Sequence, residues 1–562
     1  FFLMIRRPPR STLFPYTTRF RSSAMRRFHP LITGTLLLTA VGFFCRILGF
    51  FYRIFLSRTI GAEGLGLYQM IFPIHGIAFA LCAGPIQTSL SRLTAASPEK
   101  GRAFLRVSLA LSLSIALPLT SLIYTFADFL AARVLLAPEC APLLPALALS
   151  IPFCAIHACC CGYYYGLKKT AVPAFSQVVE QCIRIFSVLL IVHVCRTNRI
   201  PITVLLAVWG LLIGEAASAV FCLLVYGCSK PAATLQNTDT HISSYSRQTR
   251  KNTTHFQYSS RSTPPYTPDT SSTTPPSQKK SAHTPPLLLP LLTMALPLMA
   301  NRLTLSFLQS LEAIFVPNQL LLSGLSRVES VSIYGVLTGM ALPFVLFPSA
   351  ITNSLAVVLL PAVSEAQAQN QPDKIERTIS MALRYSLYMG ILCVGLFTRF
   401  GPALGETFYH NADAGRFIQI LSWLCPFLYL STTMGSILNG LGKTGTVFIH
   451  HTVSMLLTLS LVLFAIPRWG IFAYLAALLI SELVLAFLHI HALACEVPIR
   501  LPVSQGIVKP AFCLLVSIGM LEVIPNASYL PHLFPPVLIQ SGILCLLYIG
   551  GLLLLHTGTV KQ

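Results

Sequence analysis

"LITGTLLLTAVGFFCRILGFFYRIFLSRTIG", residues 31–61, is an apolar run with Arg46 and Arg53 inside it and Arg58 near its end. A hydrocarbon layer roughly 30 Å thick is crossed by about 20 helical residues, and Arg46 lies about 15 residues, or about 22 Å of helix, from Leu31. That depth is close to mid-membrane. An arginine there costs at least about 2.5 kcal/mol by insertion scales, so it turns towards the bundle interior or a wet cavity. Arg53 follows seven residues later and returns to within about 20° of the same helix face. Gly42 and Gly49 repeat the spacing beside them, leaving room for close backbone or substrate approach. Arg53 has a second reading, as a side chain that reaches the outer interface with Arg58.

The whole chain extends this pattern. It has 562 residues, 54% of them hydrophobic and 10% charged, with a mean hydropathy of +0.70; soluble domains carry about 25% charged residues. Apolar runs near 31–56, 66–92, 104–126, 141–165, 171–195 and 202–227 are followed by a second set near 286–315, 331–361, 378–399, 416–438, 445–466 and 471–492, then by 506–524 and 535–556. The expected fold is an all-α polytopic membrane protein of about 14 transmembrane helices, built as two parallel six-helix repeats around a central cavity plus two C-terminal helices. The repeat is visible in short matches that keep their order. "YGLKKT" at 165–170 answers "NGLGKT" at 439–444, "LLIGE" at 211–215 answers "LLISE" at 478–482, and Arg46 answers Arg302 in "MANRLTL". An even number of spans makes both halves enter from one face, the layout of rocking transporters.

Five segments are expected. Residues 1–24 read as translated sequencing adapter rather than native protein, since they have neither a signal core nor an amphipathic period. Without them Arg6, Arg7, Arg10, Arg19 and Arg21 are lost and the net charge falls from +21 to +16. Residues 25–229 form an N-terminal lobe and 230–286 a Ser/Thr/Pro-rich disordered linker. Residues 287–493 form a C-terminal lobe and 494–562 hold the extra pair. Lysine and arginine concentrate in the connections on the side of Lys168, Lys169, Lys443 and the linker, which places both termini and the linker in the cytoplasm. The outer connections are short, the longest being "RFGPALGETFYHNADAGR", residues 399–416.

These basic residues follow a membrane-orientation bias, so no nucleic-acid partner is expected. The 16 cysteines, including "CCC" at 159–161, lack zinc-site or disulfide-framework spacing, and His157, His193, His450, His451, His489 and His491 show no metal-like clustering. Neither a metal nor an organic cofactor is implied.

Inward arginines, Arg46, Arg53 and Arg302, make a site for an anion, and the guanidinium fork suits phosphate or pyrophosphate. Structural pairing of Arg46 or Arg302 with an acid such as Glu312 is the alternative. Glu180 and Arg184 are spaced to neutralise each other on one helix face, with a cavity contact as the other reading. Glu215 and Glu482, at matching repeat positions, and Glu312 are candidates for coupling to a proton or sodium gradient, or to the membrane potential. Pro73, with Pro85, Pro297, Pro343, Pro348 and Pro361, interrupts the second, seventh and eighth spans and, with Gly49, is a candidate for gating or bending.

Residues 34–95, "GTLLLTAVGFFCRILGFFYRIFLSRTIGAEGLGLYQMIFPIHGIAFALCAGPIQTSLSRLTA", together with "YYYGLKKT" and "NGLGKT", resemble stage V sporulation protein B and its relatives, polysaccharide-biosynthesis membrane proteins of the multidrug/oligosaccharidyl-lipid/polysaccharide (MOP) exporter superfamily. The resemblance implies a two-lobed bundle in the bacterial cytoplasmic membrane, with a cationic cavity that alternates between leaflets and carries undecaprenyl-pyrophosphate-linked sugar or peptidoglycan precursors. It implies a transporter rather than an enzyme, with a role in cell-wall biosynthesis or sporulation. Its partners would be a lipid-linked anionic sugar precursor and membrane lipids, and the chain would act as a monomer. Arg46 falls in the "RILGF" element, where a cavity arginine is expected. MurJ-type flippases have an Arg-Asp pair where this chain has Tyr52 and Arg53. Two other readings compete: a cation-coupled exporter of small organic molecules, which needs acids lining the cavity, and a membrane glycosyltransferase, which needs an acid or histidine constellation on a sizeable outer loop.

Overall fold

A computed structural model describes residues 30–228, 288–498, 503–523 and 535–559. The expectations for residues 1–24 and for the linker at 230–286 lie outside the described residues. Among the described residues there is helix and turn but no strand. The principal helices of the first half are α1 (Pro30–Met70), α2 (Phe72–Cys82), α3 (Gly84–Ala96), α4 (Gly101–Thr125), α5 (Leu144–Gly166), α6 (Ala171–Thr197) and α7 (Leu205–Cys228). The second half has α8 (Leu288–Leu322), α9 (Arg327–Gly335), α10 (Leu342–Leu346), α11 (Ser349–Ala368), α12 (Pro372–Tyr409), α13 (Ala412–Leu421), α14 (Cys425–Gly440), α15 (Thr444–Trp469) and α16 (Ile471–Glu496). The last pair is α17 (Lys509–Val523) and α18 (Pro536–Thr559).

Fourteen segments among the described residues are long and apolar enough to cross a bilayer, so this is a multi-pass membrane protein. Two boundaries differ from the sequence reading. The first and second crossings are not parted by a loop: helix runs on through Gly61, whose φ of 73° and ψ of −176° turn the chain in one residue. Only glycine takes that left-handed backbone without strain. The eighth crossing is a chain of pieces, α9 to α11, joined by a π-helical stretch at Val336–Ala341 and a turn at Phe347 and Pro348.

Proline explains part of this, and position decides which prolines matter. A proline removes one helical hydrogen bond and clashes with the preceding turn. Breaks fall beside Pro73 and Pro85 in the second crossing and beside Pro343 and Pro348 in the eighth, whereas Pro297 and Pro361 sit inside unbroken helices. The two interrupted crossings occupy equivalent places in the two halves. The expected outer loop at 399–416 is also corrected. It is a helical hairpin in which α12 runs to Tyr409, His410 turns in the left-handed region at φ 50°, and Asn411 caps α13 by accepting the Ala414 N–H at 2.8 Å. Its glycines are packing residues rather than breakers, since a methyl on Gly405 would come within 2.2 Å of the Gly415 nitrogen.

The largest apolar core joins the halves at one end only. Leu56, Leu65 and Ile71 pack there with Leu337, Met340 and Val345 and with Phe397 and Phe417. Towards the other end, one separate core belongs wholly to the first half (Ile86, Leu90, Phe104, Tyr163) and another wholly to the second (Val363, Ile379, Met434, Leu493). Burial therefore closes one end of the bundle across the halves. At the other, the buried cores are separate in the two halves, while α8 still packs against α2 and α3. Large apolar side chains such as Phe186, Phe464 and Leu515 remain exposed on the outside, where the surrounding solvent is lipid.

Candidate functional site: a cationic cavity between the halves

The closed end is built from unusually close backbone contact. Gly66 of α1 faces Val331 of α9 and Gly335 faces Ala62 and Gly66, so near that a methyl on Gly335 would stand 2.0 Å from the Ala62 carbonyl oxygen. Around this contact Arg58 donates to the Phe408 and Thr407 carbonyls at 2.8 and 2.9 Å. Arg327 meets Glu139 at 3.4 Å. Phe50, Phe344, Phe347 and Phe408 pack ring against ring beneath them.

Next to these rings a cavity of about 800 Å³ opens between α1 and α6 of the first half and the π-helical stretch and α10 of the second. Arg46 and Arg53 both line it, together with Gly42 and Gly49, as the seven-residue repeat requires. Arg46 is exposed and Arg53 half-buried. Arg53 lines this cavity, whereas Arg58 reaches the carbonyls of the closed end. Neither Gly42 nor Gly49 has an atom within 4 Å of where a Cβ would stand. Their bare backbone faces open space, not a neighbouring helix.

Arg302 lies elsewhere. It is exposed and lines a smaller cavity of about 380 Å³ between α8 and the α2–α3 break, with Asn301, Gln87 and Thr88. The expected three-arginine grouping is therefore a pair and a single, on the two half-to-half contacts related by exchanging the halves. Among the described residues, no carboxylate comes within 4.0 Å of Arg46, Arg53 or Arg302, and Glu312 instead accepts from the Tyr474 hydroxyl at 2.8 Å.

Glu180 also lines the large cavity, but Arg184 holds it in a close i, i+4 pair. Arg184 further approaches Glu215 at 3.9 Å, and His157 Nδ1 stands 3.8 Å from Glu215 and 3.9 Å from Glu180. Glu215 is thus tied into a buried ionic network inside the first half. Among the described residues, its counterpart Glu482 has no cation within 4.0 Å. It accepts from the Ser431 hydroxyl and shares a cavity of about 480 Å³ with Glu312, Ser454 and Thr458. Pro73 is buried at the start of α2 and its carbonyl accepts from Ser310 of α8 at 3.3 Å, a bond between the halves. Lys443, one of the basic residues of the connections, is ion-paired to Glu496 at 2.8 Å.

Several lining residues escaped the sequence reading. Gln69, Gln177, Gln181 and Thr338 add uncharged donors and acceptors to the arginine cavity. The spacing of Gln177, Glu180 and Gln181 was the available signal, because these polar residues form one stripe on an otherwise apolar helix.

A two-lobed bundle of fourteen crossings, closed at one end and cationic between its halves, has the fold of the MOP superfamily. A model of the family described as polysaccharide biosynthesis protein matches residues 31–258. The chain is 26% identical to stage V sporulation protein B of Bacillus subtilis (strain 168) over 522 residues, covering 89% of this chain and 92% of that protein. Among solved structures it is similar to lipid II flippase MurJ in an inward closed conformation, with a TM-score of 0.66 and 16% identity over 93% of this chain and 100% of that one. It is also similar to an inward-facing multidrug resistance MATE family transporter of the MOP superfamily, with a TM-score of 0.59 and 13% identity over 82% and 98% of the two chains.

Proposed function

We propose that the chain is a flippase that carries undecaprenyl-pyrophosphate-linked oligosaccharide or peptidoglycan precursors across the bacterial cytoplasmic membrane by alternating access. The observation that carries this reading is the pair of guanidinium groups, Arg46 and Arg53, facing one cavity between the halves without a carboxylate partner. A cation kept in a low-dielectric site needs a counter-charge, and a pyrophosphate head supplies it through charge-assisted hydrogen bonds. The bare backbone at Gly42 and Gly49 leaves space for the head, and the glutamines suit sugar hydroxyls. The polyprenyl tail stays in lipid, so only the head is desolvated. No bond is made or broken, and the protein's work is to exchange which end is closed.

The closed end is the outer one in this reading, with both termini and the linker in the cytoplasm, and the chain acts as a monomer. Glu312 and Glu482, two carboxylates without a cation partner in one cavity of the second half, are the coupling site for a proton or sodium ion. Glu215 is less suited to that role because Arg184 and His157 already stand beside it in a buried network. The exporter of organic cations is less well supported, since the acid that lines the main cavity, Glu180, is held by Arg184.

Reconstitution into liposomes with a fluorescent pyrophosphate-linked precursor tests the reading. Heads should appear in the opposite leaflet with the wild-type protein and not with the Arg46→Ala, Arg53→Ala double variant. Equal rates for the two, or no transfer of any lipid-linked precursor by wild type, would overturn it.

A further inference from the structure

One buried cluster takes no part in the arginine cavity. His157 and Cys161 are four residues apart on α5 and so share a helix face; Cys222 of α7 reaches the same point from across the first half. The three side chains bring an imidazole nitrogen and two sulfurs within 4.8 Å of one another. Cys161 and Cys222 are 5% and 0% exposed and both are free thiols. The Ser176 hydroxyl of α6 stands between them, 3.0 Å from His157 Nε2 and 3.6 Å from Cys161 Sγ.

The imidazole is bifacial. Its Nε2 looks towards Ser176 and the sulfurs, while Nδ1 is 3.8 Å from Glu215 Oε2 and 3.9 Å from Glu180 Oε2. Glu215 Oε2 is buried and without a hydrogen-bond partner. A metal-bound histidine characteristically donates its other N–H to a carboxylate, which fixes the tautomer and raises the basicity of the ligating nitrogen. Here a carboxylate lacking a donor sits on the far side of a histidine whose near side faces two thiols.

We infer that His157, Cys161 and Cys222 form a structural site for a zinc-class divalent ion, with the Ser176 hydroxyl at the fourth position and Glu215 orienting the imidazole. The donor set decides the class. Two sulfurs and an imidazole select zinc or a similarly soft ion over sodium or magnesium, which take oxygen ligands. Charge narrows it further. Two thiolates and a neutral imidazole around a divalent cation sum to zero, the least costly sum in a membrane interior. Zinc–sulfur and zinc–nitrogen bonds of about 2.3 and 2.0 Å would draw the donors closer than they stand. The ion would pin α5, α6 and α7 together in the first half, apart from the coupling ion assigned above to the second.

The test uses the full chain, purified reduced in detergent. Its metal content should be close to one zinc per chain. After chelation, cobalt(II) should give a thiolate-to-cobalt charge-transfer band and the visible bands of a tetrahedral centre, and zinc should displace both. Cys161→Ser and Cys222→Ser should each abolish these bands while Cys195→Ser leaves them unchanged, each variant being checked for a monodisperse elution profile. Absence of bound zinc and of any cobalt spectrum in the wild-type protein would overturn the site, with no variant needed. So would a Cys161–Cys222 disulfide, or cobalt bands that survive loss of both thiols.

Discussion

Gly335 packs against the backbone of Ala62 and Gly66, a contact between the halves that excludes even a methyl group. A protein that alternates must break this contact in its other state, where the space returns. Substitution there thus penalises one state and spares the other. Gly335→Leu should shift the population away from the closed end and slow transfer about five- to a hundred-fold, since overpacking costs typically about 1–3 kcal/mol. Spin labels at Arg133 and Asp413, exposed residues of the first and second halves, should report a longer distance in the variant. An unchanged distance distribution would mean that the glycine contact does not hold this end shut.

Arg46 and Arg53 share one cavity and one proposed ligand. Each single change to alanine should lower transfer roughly ten- to a hundred-fold, from the loss of charge-assisted hydrogen bonds worth about 1.5–3 kcal/mol. The double variant should lose less than the product of the two, because groups that share a partner are not additive. Lysine at either position should restore part of the rate, as charge without the fork. Initial transfer rates measure all three.

Arg184 carries two carboxylates, Glu180 and Glu215. Its removal leaves buried acid uncompensated, and breaking such a pair costs about 3–5 kcal/mol. Arg184→Ala should therefore lower the midpoint of thermal unfolding by several degrees, and Glu180→Gln in the same chain should recover part of that loss. Fluorescence-detected elution after heating reads both.

Glu312 and Glu482 have hydroxyl donors and, among the described residues, no cation within 4.0 Å. Glu312→Gln and Glu482→Gln keep those hydrogen bonds and remove the charge. The expected result is transfer that no longer responds to an imposed proton or sodium gradient, with precursor binding retained. A gradient response equal to wild type in both variants would take the coupling role away from this cavity.

The sequence exposes these features unevenly, for physical reasons. Hydropathy runs of about 20 residues are a direct consequence of bilayer thickness, so fourteen crossings were legible. The seven-residue interval between Arg46 and Arg53 fixed a common helix face, and the structure gives them a common cavity. Partnering across helices was not legible. Nothing local to Arg302 says that it shares a cavity with Gln87 rather than Arg46, and nothing near His157 announces a Cys222 from another helix. Glycine was ambiguous in the same way: Gly61 does turn the chain, while Gly405 and Gly415, read as loop, instead let two helices touch.

Photo-crosslinking from position 49 addresses the central claim most directly, because Gly49 lines the arginine cavity and a Cβ built there would meet no atom within 4 Å. With a benzophenone side chain at that site, a pyrophosphate-headed polyprenyl sugar should be captured, free pyrophosphate should compete, and capture should fail once Arg46 and Arg53 are alanine. Equal capture of an uncharged polyprenol, or capture indifferent to both arginines, would contradict a cavity built to hold an anionic head.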